Sequence, residues 1–234
     1  MRAFAQTDVG MKRDNNEDFV LVNEALRLYI VADGMGGHNA GEVASRIACE
    51  TIEAAVKAKV NFDFENDIEG ILVEANRAIK NHGVHNTEFS NMGTTVVVCY
   101  IDDERLHVAN VGDSRLYMVN EETLHQITKD HSLVAELLKI GSISEAEAVN
   151  HPDRNIITSA LGIDDKFDFY QTSMPYFEYK HILLCTDGLT NMLSKEELFE
   201  IIKNNETDVI PNKMIESANE NGGFVNITVI CIEL

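Results

Sequence analysis

Runs of apolar and β-branched residues constrain the fold of this chain most. The five runs cover residues 26–32, 94–101, 106–111 continuing through 115–119, 181–185 and 227–232. Several are apolar at nearly every position, whereas a strand buried on one face alternates apolar and polar residues. The pattern therefore predicts a sheet that another layer covers.

Helical periodicity predicts two long amphipathic helices, over residues 41–60 and 68–79. Two later helices are predicted to begin at Ser144 and Ser194, because each serine is followed three residues later by glutamate, forming a capping box. This order of elements fits an antiparallel sheet system with helices outside. From its length of 234 residues we expect a single domain over residues 1–234.

A polar segment at about residues 130–161 interrupts the strand pattern and carries short helical signals. We expect it to be a surface insertion. Loops on a rigid scaffold often carry specificity, so this segment is a candidate for contacts with a ligand.

Charge and hydropathy argue against several functional classes. The chain has 19 basic and 39 acidic side chains, a net charge of −20, which disfavours binding to a nucleic-acid backbone. The first ten residues lack the apolar stretch of a signal peptide, and no run reaches the roughly 18 apolar residues that span a bilayer. We therefore expect a cytoplasmic protein that binds neither nucleic acid nor membrane. Four widely spaced cysteines, without a C-x-x-C pair, are predicted to be buried thiols.

Aspartates at predicted strand ends are the strongest functional signal. Asp33 and Asp187 each follow an apolar run and precede glycine, and Asp113 follows another run and precedes serine. A carboxylate at the end of a buried strand is costly to desolvate unless a cation compensates it. Convergence of the three would indicate Mg²⁺ or Mn²⁺, and Gly34 would leave its carbonyl free to turn toward such an ion.

Each of these features also has a simpler interpretation. An Asp-Gly pair is an ordinary turn signal, although three similar cases together weaken that interpretation. Arg13, Glu17 and Asp18 precede the first strong strand, where arginine could hold a phosphate and the carboxylates could orient metal-bound water. Taken alone, the same three residues are typical of a solvated, charged turn.

Eight short motifs follow one another along nearly the whole chain. They are Arg13-x-x-Asn16-Glu17-Asp18, Asp33-Gly-Met-Gly-Gly37-His38, Gly93-Thr-Thr95, Ala109-Asn-Val-Gly-Asp113-Ser-Arg115, His151-Pro-x-Arg154, Ile157-Thr-x-Ala-Leu-Gly162, Thr186-Asp187-Gly-Leu189 and Asn226-Ile-Thr228. In this order they resemble the protein phosphatase 2C family, the PPM phosphatases, in its compact bacterial form. Each motif is weak alone, whereas the ordered set is highly specific.

The resemblance implies an α+β fold, a four-layer α-β-β-α sandwich of two antiparallel sheets flanked by helices. A two-metal site for Mn²⁺ or Mg²⁺ would lie at one end of the sheets. Asp33 would bridge the two ions, Asp187 would bind the first and the Gly34 carbonyl the second. The insertion at 130–161 would be the family's flap beside the active site.

The remaining site residues are also assigned by the resemblance. Arg13 would hold the substrate phosphate, while Glu17 and Asp18 would act through metal-bound waters. Asp113 and Asp187 would form the third metal site found in bacterial members.

The implied reaction is hydrolysis of phosphoserine and phosphothreonine by a metal-activated water that attacks phosphorus in line. Animal relatives carry a histidine, proposed as general acid, directly after the Asp-Gly pair, where this chain has Met35. His38 is a candidate for the general acid in its place. A water bound to the second or third metal ion is the preferred candidate for that role.

One position departs from the family pattern. The last motif normally reads Asp-Asn-Ile-Thr and its aspartate binds the first metal, whereas this chain has Val225 before Asn226. We do not expect Asn226 to replace that ligand, because adjacent residues of a strand point to opposite faces. An introduced substitution, a natural active member and a natural pseudo-phosphatase remain open as explanations. We predict a weakened first metal site and reduced turnover.

Three functions therefore compete. The first is a serine/threonine phosphatase, with phosphorylated proteins and a bacterial eukaryotic-like serine/threonine kinase as partners, and with a monomeric chain. The second is a pseudo-phosphatase that binds phosphoproteins without turnover. The third is a metal-dependent hydrolase of other phosphate esters, which the fold alone does not exclude.

Overall fold

Two antiparallel sheets form the centre of the protein. The computed structural model describes residues 1–36, 40–85, 89, 91–149 and 151–234. The first sheet contains, in spatial order, β2 (Asp18–Asn23), β3 (Leu28–Met35), β5 (Val96–Ile101), β6 (Arg105–Val111) and β9 (Tyr170–Pro175), and the short β4 (Gly93–Thr94) pairs with β3. The second contains β1 (Arg2–Asp8), β11 (Ile227–Glu233), β10 (His181–Cys185), β7 (Arg115–Val119) and β8 (Leu124–Gln126).

Helices cover the outer face of each sheet. The first sheet packs against α1 (Ala40–Ala58) and α2 (Phe64–His85). The second packs against α5 (Asp187–Thr190), α6 (Lys195–Lys203) and α7 (Ile210–Glu220). The predicted four-layer α-β-β-α sandwich is therefore confirmed.

Alternation along β3 shows why its sequence is apolar throughout. Leu28 and Ile30 face the helices, whereas Tyr29 and Val31 pack between the two sheets. Successive residues of a strand point to opposite faces, so a central strand of this sandwich buries both sets. The uniformly apolar runs of the sequence are the inner strands of the two sheets.

The prediction that the run from 106 to 111 continues through 119 as one strand is wrong. The chain breaks at Gly112, which has a φ of +93°, and passes from β6 in the first sheet to β7 in the second. A Cβ at Gly112 would lie 2.5 Å from the side chain of Thr95, so the crossing requires glycine for space as well as for conformation.

The helix predictions agree with the structure apart from their ends. α1 matches the predicted 41–60 closely, and α2 extends the predicted 68–79 in both directions. Ser194 and Glu197 form the predicted capping box at the start of α6. The four cysteines are all buried and free, as predicted. None of the helices in the described ranges is long and apolar enough to cross a membrane.

The segment 130–161 holds two short helices between β8 and β9. They are α3 (Leu133–Lys139) and α4 (Glu145–Val149). Ser144 and Glu147 exchange the hydrogen bonds of a capping box at the start of α4. Reciprocal backbone bonds of 2.9 Å between Thr94 and Leu161 attach the end of this segment to the first sheet.

Candidate metal centre

Two aspartates face each other across β2 and β3. Asp18 and Asp33 are register partners, so their side chains lie on the same face with Cβ atoms about 5 Å apart. Tyr29 and Val31 point between the sheets, and Asp33 continues this alternation. Asp33 thus lies within β3, which runs on to Met35, and not at the strand end that the sequence predicted.

Asp18 links the two sheets and is only 6% exposed. Its Oδ2 accepts hydrogen bonds from Thr186 Oγ1 at 2.9 Å and from Thr228 Oγ1 at 2.7 Å. Its Oδ1 is buried, and it has no hydrogen-bond partner among the described residues. Burial, reinforced by the charges of Asp187 and Glu17, raises the pKa of Asp18 to about 7, although the threonine bonds oppose this shift.

Asp187 and Asp33 approach each other from different sheets. Asp187 follows β10 as the first residue of α5, and Asn191 Nδ2 donates to its Oδ2 at 2.9 Å. Both carboxyl groups retain some exposure, yet burial by the surrounding protein raises the pKa of each. Charges on Asp18, Asp187 and Asp113 raise the pKa of Asp33 further, which shows that these carboxyl groups lie close enough to interact.

Asp113 stands two residues beyond the end of β6 and is largely buried. Burial, followed by the charges of Asp187 and Asp130, raises its pKa to about 7. Asp113 and Asp187 line one cavity of about 250 Å³, whose wall also includes residues of α3 and α4. The three aspartates singled out in the sequence therefore converge.

Close backbone packing fixes Glu17 beside this group. Gly34 N donates to the Glu17 carbonyl at 3.1 Å, and Ser45 Oγ donates to the same oxygen at 2.7 Å. A Cβ at Gly34 would lie 2.1 Å from the Gly41 carbonyl oxygen, so the glycine permits a close approach inside a strand, not the turn suggested by its Asp-Gly sequence. A Cβ at Gly41 would lie 2.9 Å from Glu17 Oε1, so the helix backbone also packs against the Glu17 carboxylate, and burial raises the pKa of Glu17.

Arg13 lies at the rim of the centre. Its side chain is exposed, and its positive charge acts on Glu17 and Asp187, lowering the pKa of each against the larger effect of burial. It is thus a cation facing the carboxylate group from the solvent side.

The donor set suits a divalent cation bound by oxygen. Four aspartates, Asp18, Asp33, Asp113 and Asp187, oppose one another's ionisation, and a cation between them would offset that repulsion. The unpaired Oδ1 of Asp18 is a further sign, because a buried oxygen needs a partner. Across the part of the chain that the structure describes, however, no three His, Cys, Asp or Glu side chains are already arranged as ligands of one ion.

The sequence as a whole decides the family. A family model described as "Protein phosphatase 2C" matches residues 11–210. The chain belongs to the protein phosphatase 2C family. Its relatives include the serine/threonine phosphatase stp of Listeria innocua, which is 39% identical over 241 residues covering 100% of this chain and 96% of the relative.

Solved structures of phosphatase 2C proteins share the fold. The crystal structure of the serine/threonine phosphatase Stp1 from Staphylococcus aureus superposes with a TM-score of 0.92 at 33% identity, over 99% of this chain and 94% of that one. The catalytic domain of the serine/threonine phosphatase PstP, crystallised with two manganese ions, superposes with a TM-score of 0.88 at 32% identity, over 99% and 97%.

By its resemblance to the phosphatase 2C motif, the sequence predicts that Val225 stands where that motif has a metal-binding aspartate. Its Cγ2 would lie 3.1 Å from a Cβ built on Gly188, the residue after Asp187, so the apolar side chain borders the aspartate group. Valine offers neither a charge nor a lone pair to a cation. Val225 therefore contributes an apolar side chain beside Gly188, next to Asp187.

Asn226 does not provide the ligand that Val225 lacks. The reason predicted from the sequence, that strand alternation separates residues 225 and 226, is wrong. Residues 225 and 226 precede β11, so strand alternation does not separate them. The amide of Asn226 is engaged by backbone groups instead. Its Oδ1 accepts from Glu17 N at 2.9 Å, and its Nδ2 donates to the carbonyls of Val9 at 3.0 Å and Asn15 at 2.8 Å.

Sequence reasoning missed the two threonines that hold Asp18. Thr186 and Thr228 both stand in phosphatase 2C motifs, but they received no role. A hydroxyl at the end or the beginning of a uniformly apolar run indicates a polar partner on the buried face. His38, the candidate general acid, lies outside the described residues.

Proposed function

We propose that this chain hydrolyses phosphoserine and phosphothreonine in proteins, with Mn²⁺ or Mg²⁺ as cofactor. The observation that carries the proposal is the convergence of Asp18, Asp33, Asp113 and Asp187 at one end of the sandwich, in a phosphatase 2C chain. When bound, such ions lower the pKa of water and neutralise charge on phosphoryl oxygens.

Three of the aspartates, with the Gly34 carbonyl, would hold three ions. Asp33 and Asp187, whose carboxyl groups influence each other's ionisation, would hold the first core ion, and Asp33 with the Gly34 carbonyl would hold the second. Asp113 and Asp187 line one cavity, which supports a third site between them. Glu17, held by the backbone of Gly34 and Gly41, would orient water near the second ion.

Arg13 is proposed to bind the substrate phosphate. Its exposure lets it meet a phosphoprotein from solvent, and its charge already acts on Asp187 and Glu17. Arginine can bind two phosphoryl oxygens at once, which orients the phosphorus toward the aspartate group.

The valine at position 225 supports reduced turnover. It also supports a second candidate function. Without a carboxylate at this position, the first ion loses one negative ligand, so its affinity should fall. A chain that retains Arg13 but holds the first ion poorly would bind phosphoproteins without hydrolysing them. This pseudo-phosphatase is the alternative that the Val225 position favours.

The deciding experiment measures Mn²⁺-dependent hydrolysis of p-nitrophenyl phosphate and of a phosphothreonine peptide by the chain, Asp33→Ala and Val225→Asp. We expect slow hydrolysis that chelator abolishes, no hydrolysis by Asp33→Ala and faster hydrolysis by Val225→Asp. Peptide binding without hydrolysis, even in Val225→Asp, would establish the binding module instead. Hydrolysis of the small ester but not of the peptide would point to other phosphate esters as substrates.

The proposed partners are phosphorylated proteins and the bacterial serine/threonine kinase that generates them. A phosphatase and a kinase acting on the same side chains form an opposed pair in one compartment, here the cytoplasm. We further propose that the chain acts as a monomer.

A further inference from the structure

We propose that Asp18 binds the first metal ion directly, through Oδ1, and so takes over the ligand role that Val225 cannot perform. This inference rests on the proposed function, because it concerns the same metal centre. It replaces the water-mediated contact that the family resemblance assigned to Asp18.

The hydrogen bonds of Asp18 leave one oxygen available for an ion. Thr186 and Thr228 both donate to Oδ2, which fixes the rotation of the carboxylate. The two threonines are themselves held together, because Thr228 N donates to Thr186 Oγ1 at 3.0 Å and Thr186 N donates to the Thr228 carbonyl at 3.1 Å. Oδ1 is therefore presented by a rigid support, buried and without a hydrogen-bond partner among the described residues.

Asp18 lies close to both aspartates assigned to the first ion. It is the register partner of Asp33 in the β2–β3 pair. Its oxygen is bonded to Thr186, which directly precedes Asp187. Asp18 is thereby tied to the neighbourhood of both aspartates assigned to the first ion.

Charge and polarity favour a direct bond over a bridging water. With Val225 in place, Asp33 and Asp187 are the two carboxylates assigned to the first ion, and Asp18 would restore a third. The side chain of Val225 borders Gly188 and cannot hydrogen-bond a metal-bound water there. The ion is therefore better held by Asp18, an almost fully buried carboxylate whose charge a cation would compensate.

Calorimetric titration with Mn²⁺ tests this in four proteins: the chain, Asp18→Asn, Val225→Asp and the double variant. We expect Asp18→Asn to weaken the first Mn²⁺ site about 100-fold in the chain, but only about 10-fold in the Val225→Asp background, where the introduced carboxylate makes Asp18 a supporting residue. Asp102→Asn is the matched control, since Asp102 pairs with His107 away from the centre, and it should leave the affinity unchanged.

Anomalous diffraction from Mn²⁺-soaked crystals of the unaltered chain provides a test that needs no variant. Direct binding predicts about 2.2 Å between Mn²⁺ and Asp18 Oδ1, whereas a bridging water would place them about 4 Å apart. Equal losses of affinity in the two backgrounds, or the longer distance, would overturn the inference while leaving the proposed function intact. Absence of Mn²⁺ binding in both the chain and Val225→Asp would overturn the two together.

Discussion

Arg115 binds Asp130 through two guanidinium nitrogens. Nε lies 2.9 Å and Nη2 lies 2.5 Å from Asp130 Oδ2, and Gln126 Nε2 adds a bond of 2.7 Å to Oδ1. The pair attaches the start of the 130–161 segment to β7, beside Asp113. Both side chains are largely shielded from solvent, which distinguishes this pair from the exposed ion pairs of the surface.

Arg115→Ala should destabilise the fold by about 3 kcal/mol, because it leaves Asp130 shielded and without its cation. Urea denaturation of the chelated protein measures the change. Arg27→Ala is the matched control, since its pair with Asp103 is exposed and should contribute nothing measurable. If the two substitutions lowered the free energy of unfolding equally, the Arg115–Asp130 pair would not stabilise the fold more than an exposed pair does.

The neighbouring positions 225 and 226 should respond in opposite ways to aspartate. Val225→Asp adds a carboxylate at the rim of the metal centre and should strengthen the first Mn²⁺ site by at least about 10-fold. Asn226→Asp loses the amide donor to two backbone carbonyls and should destabilise the fold by about 2 kcal/mol without improving Mn²⁺ affinity. Calorimetric titration and thermal denaturation measure the two effects. Tighter binding by Asn226→Asp would show that the ligand position is 226.

The metal-free protein should lose stability as the pH rises from about 4 to about 7. The folded-state pKa values of Asp18 and Asp113 are raised to about 7, so the folded state holds protons in this window that the unfolded state has released. Their stabilising effect is complete below pH 4 and is lost as the pH passes 7. Thermal denaturation in chelator, compared between the chain and Asp113→Asn, isolates one group. Identical pH dependence in the two proteins would contradict the raised pKa of Asp113.

Gly34→Ala should destabilise the fold by about 3 kcal/mol or more, because the new Cβ would lie 2.1 Å from the Gly41 carbonyl oxygen, on rigid backbone. Gly70→Ala is the control: a Cβ at this position in α2 meets nothing within 4 Å, and alanine should stabilise the helix by about 0.5–1 kcal/mol. Denaturant titration of both variants measures the difference. A neutral Gly34→Ala would mean that α1 can move away from β3 at little cost.

The inner strands could be predicted from the sequence, whereas the edge strands could not. β1, β2, β8 and β9 end the two described sheets, and all four were missed. A strand buried on both faces is apolar throughout, but an edge strand such as β9, with the sequence YQTSMP, is only partly buried and resembles a loop. The local sequence pattern therefore identifies the inner strands of each sheet but not its edge strands.

The aspartates of the site could be predicted from the sequence one by one. The residues that hold Asp18 in place could not. Asp33, Asp113 and Asp187 follow recognisable apolar runs, and Val225 stands out against the family motif. The bonds from Thr186 and Thr228 to Asp18 join residues 168 and 210 positions apart in the sequence. Such contacts arise from the pairing of the two sheets, which no local pattern specifies.

We expect this end of the sandwich to respond to metal binding, because the bonds from Asp18 to Thr186 and Thr228 join the two sheets there. Asp18 and Asp33 belong to the first sheet, whereas Thr228 lies in the second and Thr186 follows one of its strands. An ion bound by aspartates from both sheets would hold the sheets together at this end. Without the ion, repulsion between the like-charged aspartates would weaken the contact between the sheets. Backbone amides near Thr228 should then exchange hydrogen faster in chelator than in Mn²⁺, while amides of the distant α2 keep their rate. By thermodynamic reciprocity, a contact that holds the two sheets together at this end should raise the affinity for the ion.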